Sequence, residues 1–315
     1  MGETPQRGAR DDVVGGSAAL PSTLGEALSP DALNLLYECA LFVLGLVFGS
    51  FLNVCISRIP RGQSVVTPRS HCPACGAHIR WHDNVPFLSW IFLHGRCRDC
   101  GAPISPRYPA VELLTAILLV ACYLWFGSTW STVKFSIFSF LMVGLLFTDA
   151  ETGLLPREFT YTGIVLGIAF SWIAPTDDSV TRFVVNAYNW QLSTVQVSVV
   201  DSVAGTLAGA SFFFVASGLY FLMRKRQGMG GGDFALMAMS GAFLGLKLIL
   251  LVTFVAPVMA TIYALMLIVH DAGTGISVGE MLRSGEIPFG VFISISSLAA
   301  VFFGEGVWRW YLGFF

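Results

Sequence analysis

The sequence predicts an all-α polytopic membrane protein with about eight transmembrane helices and a small polar domain between the first two. Of its 315 residues, 55% are hydrophobic and only 12% are charged, and the mean hydropathy is +0.70. Soluble domains carry about 25% charged residues, so this composition excludes an ordinary soluble domain. The apolar residues also gather in runs of the length that crosses a bilayer, about 20 residues.

Apolar runs follow one another along most of the chain. The predicted spans are 33–56, 109–126, 134–148, 159–174, 202–223, 234–246, 248–269 and 288–310. The sixth is short and interrupted by glycine, so it is expected to tilt or to be half re-entrant. Residues 1–32 are predicted to form a disordered tail outside the cytoplasm, and 175–200 a weakly hydrophobic connector. Residues 57–108 form the polar domain.

The distribution of basic residues predicts the orientation of the bundle. The polar domain at 57–108 holds seven arginines, and Arg224, Lys225 and Arg226 form a second basic cluster. Four spans separate the two clusters, so both lie on one face, which the positive-inside rule assigns to the cytoplasm. The same count places Asp149 and Asp233 on the cytoplasmic side, at the ends of the third and sixth spans.

Two C-x-x-C pairs lie in the polar domain, each followed by a glycine. They comprise Cys72, Cys75, Cys97 and Cys100. Each pair presents two sulfurs to one ion, which is the arrangement of a tetrahedral, structural zinc site with four thiolates. His71 and His78 flank the first pair and are alternative ligands. A domain of this size has little core, so metal binding is expected to stabilise it.

Two acids stand at the edges of apolar segments. Asp149 ends the third span, and Asp233 closes a glycine run that includes Gly230, Gly231 and Gly232. If the two carboxylates converge they can share a proton and hydrolyse a peptide by acid–base catalysis. The glycines would then let a substrate segment approach. The alternatives are a helix cap for Asp233, an interfacial acid for Asp149, and Glu151 as the second acid of the pair.

Several ordered motifs resemble one known family. They are GSFLNV at 49–54, HCPACG at 71–76, WHDNVP at 81–86, GRCRDC at 95–100, RYPAVEL at 107–113, the Asp149 stretch, GGGD at 230–233 and PFG at 288–290. Together they resemble the type IV prepilin leader peptidases and N-methyltransferases, which are GxGD-type aspartyl proteases.

The resemblance implies a site and a set of partners. Asp149 and Asp233 would be the catalytic pair of a membrane protease core at 109–315, and the four cysteines would hold the zinc of the cytoplasmic domain. S-adenosylmethionine would donate the methyl group. The substrates would be prepilins or pseudopilins at the inner membrane of a bacterium, with membrane lipid but no nucleic acid as a further partner.

The residues that would bind the methyl donor are not indicated by a glycine-rich phosphate loop or a Rossmann fingerprint. Asn53, Arg58 and Glu112 are polar groups at the ends of the first two spans and are candidates. As an alternative, Arg58 extends its charge to the membrane surface, while Asn53 and Glu112 form hydrogen bonds between helices.

Two other functions are compatible with a membrane chain of this kind. Acids inside membranes often relay protons, which suggests a transporter or a proton-coupled channel. Transporters tend to have repeated halves with matching broken helices, and this chain shows no such repeat. The third hypothesis is an assembly scaffold that binds zinc and catalyses no reaction.

Overall fold

The computed structural model describes residues 29–176, 179–225, 230–274 and 288–313, and in these ranges the regular elements are helices. The α-helices are α1 (Pro30–Arg58), α2 (Leu88–Phe92), α3 (Arg107–Phe126), α4 (Trp130–Thr152), α5 (Arg157–Ile173), α6 (Ser179–Ala187), α7 (Thr194–Arg224), α8 (Gly231–Thr274) and α9 (Phe289–Leu312). The predicted tail lies almost wholly outside the described residues. The packing reported below is that within Ala40–Phe315, one of two compact units.

The number of membrane-crossing helices is close to the predicted eight. Six helices in the described ranges are long and apolar enough to cross a membrane, namely α1, α3, α4, α7, α8 and α9. Helix α5 has 17 residues, slightly fewer than a typical span of about 20. Helix α8 is broken at Gly245, where φ is 76° and ψ is 179°, so it comprises two of the predicted spans.

The connector between α5 and α7 is more ordered than predicted. Residues 179–187 form the short helix α6, and α7 begins at Thr194, well before the predicted start at Ser202. The reason is a capping box, in which Ser193 and Gln196 each accept a hydrogen bond from the other's backbone N–H. Because such a box satisfies free N–H groups at a helix start, the helix extends into polar sequence.

Helix α8 lies at the centre of the bundle and packs against α5, α7 and α9. Glycines spaced four residues apart bring these helices close together. A Cβ on Gly205 would lie 2.5 Å from the carbonyl oxygen of Gly241, and a Cβ on Gly209 would lie 2.4 Å from that of Met237. Small residues at this spacing are the usual means by which membrane helices approach closely.

The same spacing joins the first two spans. A Cβ on Gly45 would lie 2.4 Å from the Cα of Ala116, and a Cβ on Gly49 would lie 2.5 Å from the Cα of Glu112. Helices α1 and α3 are therefore in backbone contact near the polar domain, a contact that the sequence signals through its G-x-x-x-G pattern.

Candidate active site and metal cluster

Asp149 lies at the end of α4, in a carboxylate-binding position made by another helix. The helix terminates at Gly153, which adopts a φ of 63° and donates its N–H to the carbonyl of Asp149 at 2.9 Å. The Asp149 side chain turns inward, and only 5% of the residue is exposed. Its Oδ2 accepts a hydrogen bond from the backbone N–H of Val291, in the first turn of α9, at 3.1 Å.

Gly290 permits this contact. A Cβ at that position would lie 2.8 Å from Asp149 Oδ2 and 3.0 Å from Leu155 Cδ2. Any side chain at 290 would therefore displace the carboxylate or the leucine. The sequence motif at 288–290 carried the family resemblance without indicating a role, and the structure supplies one: a free approach of Asp149 to the start of α9.

Asp233 lies in the first turn of α8, and its side chain is partly buried. The carboxylate interacts with the N–H of Gly230 and electrostatically with Asp149. The contact with Gly230 is that of an acid at the third helical position capping its own helix. The capping alternative is therefore compatible with the structure, but it coexists with proximity to the other acid.

Leu155 lies between the two segments that carry the acids. A Cβ on Gly232 would lie 2.8 Å from Leu155 Cβ, so the start of α8 packs directly on the turn that follows Asp149. The glycine loop predicted at Gly230, Gly231 and Gly232 is largely helical in the structure. Gly230 precedes the helix, whereas Gly231 and Gly232 form its first turn, and residues 226–229 lie outside the described ranges.

Glu151, the alternative partner acid, is engaged elsewhere. It forms an ion pair with Arg107, the first residue of α3. In the described part of the chain neither Asp149 nor Asp233 forms an ion pair. The two acids that sequence and resemblance had singled out therefore lie on segments that pack at Leu155 and interact electrostatically, whereas the third acid is paired with a cation.

The four cysteines of the polar domain form a cluster that suits a metal ion. Their sulfurs all lie within 4.8 Å of one another, and the Sγ atoms of Cys72 and Cys100 are 3.9 Å apart. A tetrahedral zinc ion with Zn–S bonds of about 2.3 Å separates its sulfurs by about 3.8 Å. The arrangement thus fits such an ion with little adjustment.

Two similar turns build this cluster. Gly76 and Gly101 both adopt a positive φ, 72° and 70°, and each donates its N–H to the carbonyl of the first cysteine of its pair at 2.9 Å. Backbone hydrogen bonds from Cys75 and Ala74 lower the pKa of the Cys72 thiol to about 7, which favours the thiolate that binds metal. Neither predicted alternative ligand, His71 or His78, belongs to the cluster.

An ion pair joins the second cysteine turn to the rest of the polar domain. Arg98 donates to both carboxylate oxygens of Asp83, at distances between 2.6 and 3.0 Å. The hydrogen bond from Arg98 lowers the pKa of the Asp83 carboxyl below its ordinary value.

The three candidates for methyl-donor binding have different surroundings. Arg58 donates to the carbonyls of Ser64 and Pro68 at 3.0 and 2.8 Å, so it holds the loop that enters the polar domain. The amide nitrogen of Asn53 donates to the carbonyl of Tyr108 at 3.0 Å. Glu112 Oε2 accepts the N–H of Phe87 at 2.7 Å. The last two are contacts between separate segments, as the structural alternative expected.

Comparison with known proteins gives two family matches and a set of relatives. Residues 43–126 match the Bacterial Peptidase A24 N-terminal domain, and residues 135–265 match the Type IV leader peptidase family. No solved structure gives a significant match.

Three relatives share the description prepilin leader peptidase/N-methyltransferase. The protein from Myxococcus xanthus (strain DK1622) is 37% identical over 246 residues, which are 78% of this chain and 68% of that protein. The Aeromonas hydrophila protein is 32% identical over 304 residues, 88% of this chain and 94% of that protein. The Neisseria gonorrhoeae protein is 30% identical over 297 residues, with shares of 86% and 93%.

Proposed function

Because this chain belongs to the Type IV leader peptidase family, we propose that it cleaves the leader peptide of type IV prepilin-like or pseudopilin substrates and then N-methylates the new N-terminal residue. The observation that supports the peptidase half is the packing of two segments on Leu155: they carry Asp149 and Asp233, which are far apart in sequence and interact electrostatically. No finding favours the transporter or scaffold alternatives.

The two carboxylates would divide the work of hydrolysis. Like charges at short range cannot both ionise, so the pair shares one proton. The ionised carboxylate takes a proton from water, which attacks the scissile carbonyl, and the protonated one donates to the carbonyl oxygen. The N–H of Val291 fixes the orientation of Asp149 throughout. The expelled amine then becomes the N-terminus of the mature substrate.

The predicted membrane orientation supports a specific depth for this reaction. The apolar helices make the chain a multi-pass protein of the inner membrane, and the positive-inside rule predicts that both acids and the polar domain lie on the cytoplasmic side. A prepilin-like substrate carries a short basic leader followed by an apolar helix. Its scissile bond would then lie at the cytoplasmic membrane edge, level with Asp149 and Asp233.

The two predicted cofactors have separate roles in this proposal. Zinc, held by Cys72, Cys75, Cys97 and Cys100, would be structural, because four protein sulfurs complete its tetrahedral shell. S-adenosylmethionine, when bound, supplies an electrophilic methyl group. Asn53, Arg58 and Glu112 remain the candidates for binding this donor.

The test is leader removal from a prepilin-like peptide by purified protein in detergent. Asp149→Asn and Asp233→Asn each remove one half of the acid–base pair, so we expect cleavage to fall by about 10²–10⁴-fold or more. Glu151→Gln is the matched control: it changes an acid only two residues from Asp149, and we expect it to retain cleavage. Normal leader removal by either asparagine variant would exclude the two-aspartate mechanism.

A further inference from the structure

A buried acceptor without a partner lies at the junction of α1 and α3. Only 3% of Asn53 is exposed, and its Oδ1 has no hydrogen-bond partner in the described part of the chain. The amide cannot simply be turned over, because the other atom of the group faces the carbonyl oxygen of Tyr108 at 3.0 Å and must be the donor. Asn53 Oδ1 is therefore an acceptor that a bound donor could use, because a buried acceptor without a hydrogen bond costs free energy.

A second buried acceptor lies on α3, about one helical turn from the residue that Asn53 contacts. Glu112 is one turn along α3 from Tyr108, and only 8% of it is exposed. Its carboxylate accepts the N–H of Phe87 at 2.7 Å, and Phe87 adopts a φ of 61°, a region that non-glycine residues seldom occupy. The absence of a side chain at Gly49 brings α1 against Glu112. A neutral acceptor and a carboxylate thus come from adjacent, touching helices.

This junction is connected to the candidate active site. Arg107, which precedes Tyr108 at the start of α3, forms the ion pair with Glu151, two residues beyond Asp149. Its Nε is also buried without a hydrogen-bond partner among the described residues. The product of cleavage at the acid pair is released as an amine, and this junction offers buried acceptors next to the helix end that carries Asp149.

We propose that Asn53 Oδ1 and the Glu112 carboxylate bind the newly released α-amino group of the cleaved substrate and hold it for methylation. The inference rests on the proposed function, because leader cleavage releases the amine and methyl transfer consumes it together with the methyl donor. An ammonium group carries three N–H donors, and it is matched by one amide oxygen and one carboxylate. The carboxylate distinguishes this site from one built for the neutral peptide bond of the uncleaved substrate.

The chemical step follows from the charges. One proton of the ammonium passes to the Glu112 carboxylate, which leaves a neutral amine with a free electron pair. That nitrogen attacks the methyl carbon of the sulfonium donor, so an N–C bond forms while the S–C bond breaks and its electron pair remains on sulfur. The methylated nitrogen is then a positively charged secondary ammonium, and Glu112 returns to the carboxylate by releasing the proton that it took to water.

The test measures recognition of the amine separately from both reactions. The full-length protein in detergent is titrated with two peptides of the mature N-terminal sequence, one with a free amine and one N-acetylated. We expect the unaltered protein to prefer the free amine by about tenfold or more, the size of a charge-assisted hydrogen bond. In Glu112→Gln, which keeps an oxygen for the Phe87 N–H, the two affinities should converge and methyl transfer should be lost.

Thr115→Val is the matched control. Thr115 is fully buried on α3, one turn beyond Glu112, and its hydroxyl donates to the carbonyl of its own helix at Val111. We expect that variant to retain the preference for the free amine, methyl transfer and leader cleavage. Leader cleavage in Glu112→Gln reports that the variant is folded, and Asn53→Ala provides a second variant with the same expected result.

The outcomes separate this inference from the function on which it rests. Retained preference for the free amine in Glu112→Gln and Asn53→Ala would overturn the inference while leaving both reactions in place. Loss of cleavage in both variants would assign the two residues to the helix framework and also overturn it. An unaltered protein that cleaves without transferring a labelled methyl group would instead contradict the methyltransferase half of the proposed function.

Discussion

Two buried acids of this bundle, Asp201 and Asp149, have different neighbours. On α7, Asp201 is 2% exposed and accepts hydrogen bonds from the hydroxyl of Thr181 at 2.5 Å and the N–H of Leu246 at 3.1 Å. It also interacts electrostatically with Lys134, which is 1% exposed. Asp149 instead accepts a backbone N–H and faces a second carboxylate, Asp233.

The difference shows that neighbours, and not burial, decide what a buried acid does. Asp201 accepts a hydroxyl and an N–H and interacts electrostatically with a buried lysine, and it caps the half of α8 that begins after Gly245. A Cβ at Gly245 would lie 1.9 Å from Asp201 Oδ2, so the glycine break is what admits the carboxylate. Asp233 lies 12 residues before Gly245 on the same helix, or about 18 Å at 1.5 Å per residue, and there its carboxylate interacts with the N–H of Gly230 and with a second carboxylate.

The largest effects are expected from replacing Asp201 and Asp233 separately and measuring both activity and stability. Asp201→Ala removes the acceptor of two hydrogen bonds, from the Thr181 hydroxyl and the N–H of Leu246, so we expect the free energy of unfolding to fall by about 1–3 kcal/mol. Asp233→Asn removes a repulsion, so the stability of that variant should be unchanged or higher although cleavage is lost. Denaturant unfolding in detergent and leader cleavage are the two measurements.

A double variant provides the control for that experiment. Combining Lys134→Met with Asp201→Leu removes the buried Lys134 charge together with the carboxylate that interacts with it electrostatically, so we expect the double variant to recover part of the lost stability. A double variant that is less stable than Asp201→Ala would show that this electrostatic interaction does not stabilise the fold.

The metal cluster extends the comparison to the polar domain, where cysteine sulfurs and not acids would be compensated by a cation. Cys72→Ser removes one ligand, so we expect bound zinc to fall well below one ion per chain and the domain to lose protection from proteolysis, because metal binding stabilises small domains. Cys39→Ser is the control, since Cys39 is an exposed cysteine outside the cluster. An unchanged ratio of zinc to protein in Cys72→Ser would exclude the four-thiolate site.

The smallest expected effect concerns the approach of α9 to the acid pair. Gly290→Ala inserts a methyl group 2.8 Å from Asp149 Oδ2, and we expect cleavage to fall by about 10–100-fold because misplaced catalytic groups lose rate steeply. Gly306→Ala is a matched change on the same helix, where an added Cβ meets nothing within 4 Å, and it should leave cleavage unchanged. Equal activity in the two variants would remove Gly290 from the site.

Much of the architecture could be predicted because its signals are local. The apolar runs determine where the helices cross, and the C-x-x-C-G turns determine how each cysteine pair is presented, since their hydrogen bonds span only a few residues. Asp149 and Asp233 could be named because each interrupts or ends an apolar segment, where an acid is costly. The start of α7 could also have been found from its capping box, but the polar residues of 194–201 obscured it.

Packing between distant segments decided the rest. Lys134 was predicted to begin the third span, whereas the helix begins at Trp130 and buries Lys134, which interacts electrostatically with Asp201 on another helix. The approach of Gly290 to Asp149 and the unpaired Oδ1 of Asn53 likewise depend on how separate helices meet. Residue type and local turns can be read from the sequence, so the sequence was enough to name the groups that could be reactive. Which charged groups lie near one another depends on distances in space, and these were known only from the tertiary structure.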